Sequence, residues 1–171
     1  MKRLAVLIAA IAMTLAGLTT ATASAAGSPP GAAAVNCNHW SGPGTVVKPV
    51  YVRTNDDGVA AGAAQLCKQG SYYWAYVVFY APMPSGSWGQ VYLQRFRGGT
   101  VIGQWSCDTL PITPPDGGNE HVAPTETQCW TKKIYGGGST DTFRAVGVAY
   151  YGIYPDTSWT DARGITSPPA R

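Results

Sequence analysis

The sequence predicts an all-β fold: a single disulfide-braced antiparallel β-sandwich of seven to eight strands, with a small β-barrel as the alternative. Three observations carry that expectation. Short runs rich in Val, Tyr, Trp and Thr recur between Gly- and Pro-rich breakers at sandwich-like spacing. Charged residues are scarce, whereas 21 glycines and 13 prolines supply turn chemistry. Four cysteines, Cys37, Cys67, Cys107 and Cys129, follow a segment with the character of an export signal.

That segment, residues 1–26, has a basic start (Lys2, Arg3), an apolar run from Leu4 to Leu18 and small residues ending in "ASAA". This is the pattern of a cleaved signal peptide, and the run is short for a membrane span, so no stable membrane insertion is expected after cleavage. Residues 27–36, "GSPPGAAAVN", read as a flexible leader, and 167–171, "SPPAR", as a disordered tail. Residues 37–166 then form one domain. Without Lys2 and Arg3, ten basic residues face nine acidic ones, a net of about +1. Attraction to nucleic acid or anionic lipid has no basis in that balance. An even cysteine count reads as two disulfides with three possible pairings. The sequential one, Cys37–Cys67 and Cys107–Cys129, is favoured because each closes a local loop between expected strands.

Along the domain, "TVVKPVYVR" (45–53) reads as an edge strand, since Pro49 cannot donate to a ladder. "TNDDG" (54–58) is a turn, and "VAAGAAQLCK" (59–68) a short strand rather than a helix, given Gly62 and the bridged Cys67. In 72–80, Tyr72, Trp74, Tyr76, Val78 and Tyr80 share one face and Tyr73, Ala75, Val77 and Phe79 the other. Both faces are apolar, which places the strand centrally. "APMPSG" is expected to join it by a hairpin to a strand over 88–97, and Gly98–Gly99 to turn that strand into "TVIGQWSC", giving a three-stranded meander. Residues 108–125 read as a long loop. "ETQCWTKKIY" reads as a further strand, 142–152 as another, with Phe143, Ala145, Gly147 and Ala149 on one face, and "SWTDARGIT" as a last short one.

Catalytic signatures are weak. Only His39 and His121 lie beyond the signal, and no G-x-S-x-G elbow is present. Glu120, His121, Glu126, Arg95, Arg97 and Arg144 include the residue types of a ribonuclease, but on a solvated loop and a sheet face. The cysteines lack the clustered spacing of a metal site, "DGGNEH" lacks the alternating ligands of a calcium loop, and no cofactor or metal is implied. The chain therefore reads as a non-enzymatic binding protein.

Its contact residues are sought among the aromatics. Trp74, Trp105 and Trp130 lie in strands and read as core, while Trp40 and Trp159 lie near element ends. Trp88, Gln90, Tyr92 and Gln94 put rings and amides on one face of the 88–97 strand; Arg95 and Arg97 end its opposite face, where Arg144 joins them if its strand is adjacent, and supply the cations typical of contact hot spots. The expected partner is another secreted protein. A glycan or cell-wall polymer is the alternative, and a small secreted hydrolase a third reading.

The signal, the Ala/Gly/Pro leader and the two-bridge β body, with "TQCWTKKIY" followed by "TFRAVGVAYYG", resemble small secreted proteins of Streptomyces-type actinobacteria. In size and layout the chain is also similar to the adaptor subunit of secreted umbrella-type toxin particles, which bridges a lectin subunit to a stalk protein. That resemblance implies a protein-binding adaptor and transfers no functional residue.

Overall fold

The computed structural model describes residues 37–137 and 140–166; the expected signal peptide, leader and tail lie outside them. Among the described residues the chain is all-β, with nine strands: β1 (Thr45–Thr54), β2 (Ala60–Gln69), β3 (Tyr72–Phe79), β4 (Ser87–Arg97), β5 (Thr100–Ser106), β6 (Gln128–Trp130), β7 (Ile134–Tyr135), β8 (Asp141–Tyr151) and β9 (Thr160–Ile165). All pair antiparallel. Where two packed sheets were expected, hydrogen bonding runs unbroken in the order β5-β4-β8-β9-β1-β2-β3-β6, with β7 also on β3. This single sheet curls into a half-barrel.

Curling gives the sheet a shared interior. Val52, Leu66, Val77, Val91, Leu93 and Phe143 meet there from strands distant in the ladder. Many of the remaining inner positions are small: Ala64, Ala75, Ala145, Ala149 and Ala162. Gly147 on β8 shows how closely the two halves approach. A Cβ there would lie 2.8 Å from Ala64 Cβ and 2.9 Å from Val52 Cγ2.

The expected meander is corrected in one part. β4 and β5 do form a hairpin, and its two turn residues, Gly98 and Gly99, have φ of 57° and 86°, the left-handed geometry that a two-residue turn between twisted strands requires. β3 and β4, however, do not pair. β3 bonds β2, β6 and β7, while β4 takes the eleven-residue β8 as its other neighbour. The reason lies in the connection. Pro82 and Pro84 hinder a tight turn, and the loop is instead tied to another one: Met83 N donates to Glu126 O at 2.9 Å, and Thr125 N to Met83 O at 2.9 Å. β3 and β4 therefore lie in different stretches of the curled sheet, with Phe79 and Met83 packed at the position of Gly89.

Other expectations hold with adjustments. β3 buries both faces: Ala75 and Val77 inward, Trp74 and Tyr76 in a second cluster with Cys37, Cys67 and Trp130. β1 lies inside the strand order, yet only Arg53 and Thr54 pair with β9, so the stretch containing Pro49 has β2 alone as neighbour. The strand expected in "ETQCWTKKIY" is split into β6 and β7 at Thr131, whose N still donates to Ala75 O at 2.9 Å but whose Oγ1 takes the place of a backbone carbonyl in accepting from Ala75 N at 3.1 Å. The disulfides are Cys37–Cys67 and Cys107–Cys129, the sequential pairing.

Substituting Gly147→Val tests the close approach. It should destabilise the fold by about 2 kcal/mol or more, read as a lower urea midpoint at an unchanged slope. An unchanged midpoint would mean that the two halves of the sheet are not in contact there.

Candidate functional site

The residues singled out from sequence do not form one surface. Trp88 and Gln90 are buried, at 3% and 2% exposure. Trp88 stacks on Tyr150 (ring centroids 4.3 Å apart) and receives the edges of Tyr154 (4.9 Å) and His121 (5.9 Å). Its indole Nε1 donates to Asp156 O at 3.1 Å. Trp88 is thus the anchor for the chain that links β8 to β9. Gln90 accepts from Cys107 N at 3.0 Å and donates to the Asp108 carboxylate, which fixes the start of the long loop.

Asp108 gathers this region. Its Oδ1 accepts from the backbone N of His121 at 2.9 Å and lies 3.2 Å from His121 Nδ1, and Tyr154 Oη donates to its Oδ2 at 3.3 Å. The Tyr154 and His121 rings stack with centroids 3.8 Å apart. Burial, followed by the neighbouring Asp108 charge, pushes the Tyr154 hydroxyl up, so Tyr154 remains a neutral donor. No arginine pairs with His121 among the described residues; its partners are Asp108, Trp88 and Tyr154.

Tyr92 and Gln94 face outward from β4. Together with Gln104, Val146, Val148 and Arg163 they help line an open cleft of about 340 Å³ on the outer face of the sheet. The Tyr92 and Tyr150 hydroxyls are 3.3 Å apart, and burial drives the Tyr92 hydroxyl far above its usual range. Arg144 lies on this face, where its Nε donates to Gln94 Oε1 at 2.9 Å and its guanidinium sits over Phe96. Arg95 and Arg97 point to the other side and are both bonded to Asp141, Arg97 through Nε at 2.9 Å and Arg95 through Nε at 2.8 Å. Hydrogen bonds from Arg97 and then Arg95 hold the Asp141 carboxyl below the usual range. The three arginines are therefore divided between the two faces, and each is engaged within the fold.

The exposed aromatic residues are concentrated elsewhere. From Tyr151 to Trp159, the chain presents Ile153 at 85% exposure, Trp159 at 71% and Tyr151 at 65%, with Tyr154 at 41%. Trp88, Asp108 and His121 fasten the base of this segment. Its signal was present in the sequence: "YYGIYPDTSW" packs four large rings and an isoleucine into a short stretch with no strand period. Trp40 is also exposed, as are Tyr72 and Tyr135, whose rings meet edge to face at 5.5 Å. Trp40 sets its edge to Trp130 at 5.1 Å and donates through Nε1 to Gly118 O.

His39 is buried at 7% exposure, edge-on to Trp74 at 5.4 Å and tilted against Trp130 at 6.2 Å. Burial, reinforced by the Lys133 charge, lowers its pKa to about 4.

Fold and site define a class: an all-β half-barrel with two disulfides and an anchored aromatic loop on its outer side. Comparison with protein-family models, curated proteins and solved structures gives no match to the chain.

His39 makes stability depend on pH. Its ordinary pKa of 6.5 in the unfolded chain exceeds the folded value of about 4, so the unfolded state binds more protons in between. The stabilisation is complete above the unfolded value and is lost as pH falls toward the folded one. The urea midpoint should therefore drop between about pH 7.5 and about pH 4.5 more steeply in the parent than in His39→Gln. Equal slopes would show that the imidazole is not held neutral by the fold.

Proposed function

We propose that this chain is a secreted binding protein that acts through protein–protein contacts made by the Tyr151–Trp159 segment. The observation that carries the reading is the exposure of Tyr151, Ile153 and Trp159 within nine residues whose base is locked by Trp88 and the Asp108–His121–Tyr154 network. Large apolar side chains held rigidly at a surface lose little freedom on contact and gain by leaving water, which is how interface hot spots work. The two disulfides fit an oxidising, extracellular setting. An adaptor that joins subunits of an extracellular toxin particle is the concrete form to which the sequence resemblance points.

The glycan reading has less beneath it. Of its three candidate rings, Trp88 is covered by Tyr150, Tyr154 and His121, which leaves it Trp40 and Trp159 as exposed rings. The ribonuclease reading lacks its phosphate clamp: the partners of His121 are a carboxylate and two rings, while Arg95 and Arg97 are bound to Asp141.

The test is co-purification of the natively expressed chain from culture supernatant, with mass spectrometry of what elutes. A stoichiometric partner should be retained by the parent and lost at least about tenfold on Trp159→Ala or Ile153→Asp, with unchanged thermal stability. A lone monomer at low and high salt, or a partner retained equally by both variants, would overturn the proposal.

A further inference from the structure

Beside the aromatic segment lies a cleft of about 240 Å³, lined by Asn55, Asp56, Tyr151, Trp159, Thr160 and Asp161. Its floor is made where the β1–β2 turn meets the start of β9. The β1–β2 turn reaches β9 through Asn55, whose backbone N donates to Asp161 O at 2.9 Å and whose Nδ2 donates to Thr160 O. The register between β8 and β9 skips a residue here: Ala149 faces Ala162 and Tyr150 faces Thr160, so Asp161 is the inserted residue of a bulge. Bulges re-aim side chains, and Asp161, at this one, lines the cleft together with Asp56. The two remaining walls are exposed rings, Tyr151 and Trp159.

The charge of the cleft is uncompensated. Neither Asp56 nor Asp161 forms an ion pair among the described residues. Neither of the arginines adjacent in the ladder, Arg53 and Arg163, lines this cleft. Arg53 donates through Nη1 to Gly58 O at 2.7 Å and lies over the Tyr51 ring, and Arg163 lines the separate outer-face cleft. Two acidic residues and two exposed aromatic residues lining one small opening are complementary to a cation with a flat or apolar body, because carboxylates supply charge and aromatic rings attract cations. A planar guanidinium meets both demands better than an ammonium does.

We infer that this cleft receives an arginine side chain of the partner protein, its guanidinium between Tyr151 and Trp159 and against Asp56 and Asp161. The inference rests on the protein-contact reading above and names the chemistry that would orient the partner on it.

The test uses the isotopically labelled, disulfide-intact chain, titrated by nuclear magnetic resonance with acetyl-Gly-Arg-Gly amide and with its lysine and glutamate analogues. The arginine peptide should shift the Trp159 indole N–H and the Asn55 and Thr160 amides saturably, the lysine peptide more weakly, and the glutamate peptide not at all. Asp161→Asn and Trp159→Ala should each weaken the arginine peptide by about tenfold, while Trp159→Phe keeps most of the binding. Absence of saturable shifts, or shifts indifferent to Asp56→Asn and Asp161→Asn, would overturn the inference. Retention of the natural partner separates the two ideas. If Ile153→Asp releases it and the paired Asp56→Asn, Asp161→Asn variant does not, the contact surface stands and the arginine site falls. If neither releases it, both fall.

Discussion

The fold depends on how little bulk its concave face carries. A nine-stranded antiparallel sheet that stayed open would leave one face of β3 and β8 in water. Closing it brings β8 against β1, β2 and β3, and that requires Gly147, Ala64 and Ala145 where larger residues would hold the halves apart. The larger side chains then fill what space remains: Leu66, Val77, Leu93 and Phe143 from strands far apart in the ladder. Interiors pack at crystal-like density, so this distribution of small and large residues sets the radius of the curl. The disulfides act around it. Cys107–Cys129 joins the end of β5 to β6, the two extremes of the strand order, and so clasps the open side of the half-barrel.

Closure also creates the outer surface on which the functional reading rests. Inner positions of β4 and β8 are spent on the core, so their alternate residues, Trp88, Tyr92, Val146, Val148 and Tyr150, form a separate apolar layer outside. The segment from Tyr151 to Trp159 folds back over one end of that layer. It is fixed by the Trp88 indole bond to Asp156, by ring stacking and by the Asp108 carboxylate. Loops carried on a rigid scaffold are where recognition is usually placed. Here the chain keeps one set of aromatics to hold the loop and a second set to face outward.

Much of this was legible in the residues, and the parts that were not share a cause. Strand positions, the two-faced burial of β3, the Gly98–Gly99 hairpin and the disulfide pairing all follow from local pattern or short separation. The partner of β4 does not. Its eleven-residue register with β8 joins segments more than forty residues apart, and no local pattern distinguishes that neighbour from the adjacent β3. The same gap explains Trp88: its alternation with Gln90 and Gln94 suggested an exposed face, but the cover comes from Tyr150, Tyr154 and His121, all distant in sequence. The arginines were grouped without the β4–β8 register, which alone decides on which side Arg144 stands. Arg144 alternates with Asp141 and Phe143, so it faces away from Arg95 and Arg97.

The end of the sheet at β5 carries a consequence for the molecule in a crowded fluid. Thr100–Ser106 has no charged residue and no proline, and Val101 and Ile102 are exposed on it. Such a border would ordinarily invite a foreign strand to continue the ladder. The pairing with β4 skips Ile102, between Gly103 opposite Arg95 and Val101 opposite Phe96. That single inserted residue bends the border, so a straight strand laid along it loses register halfway. Solubility at this margin is guarded by geometry, where other proteins use a lysine.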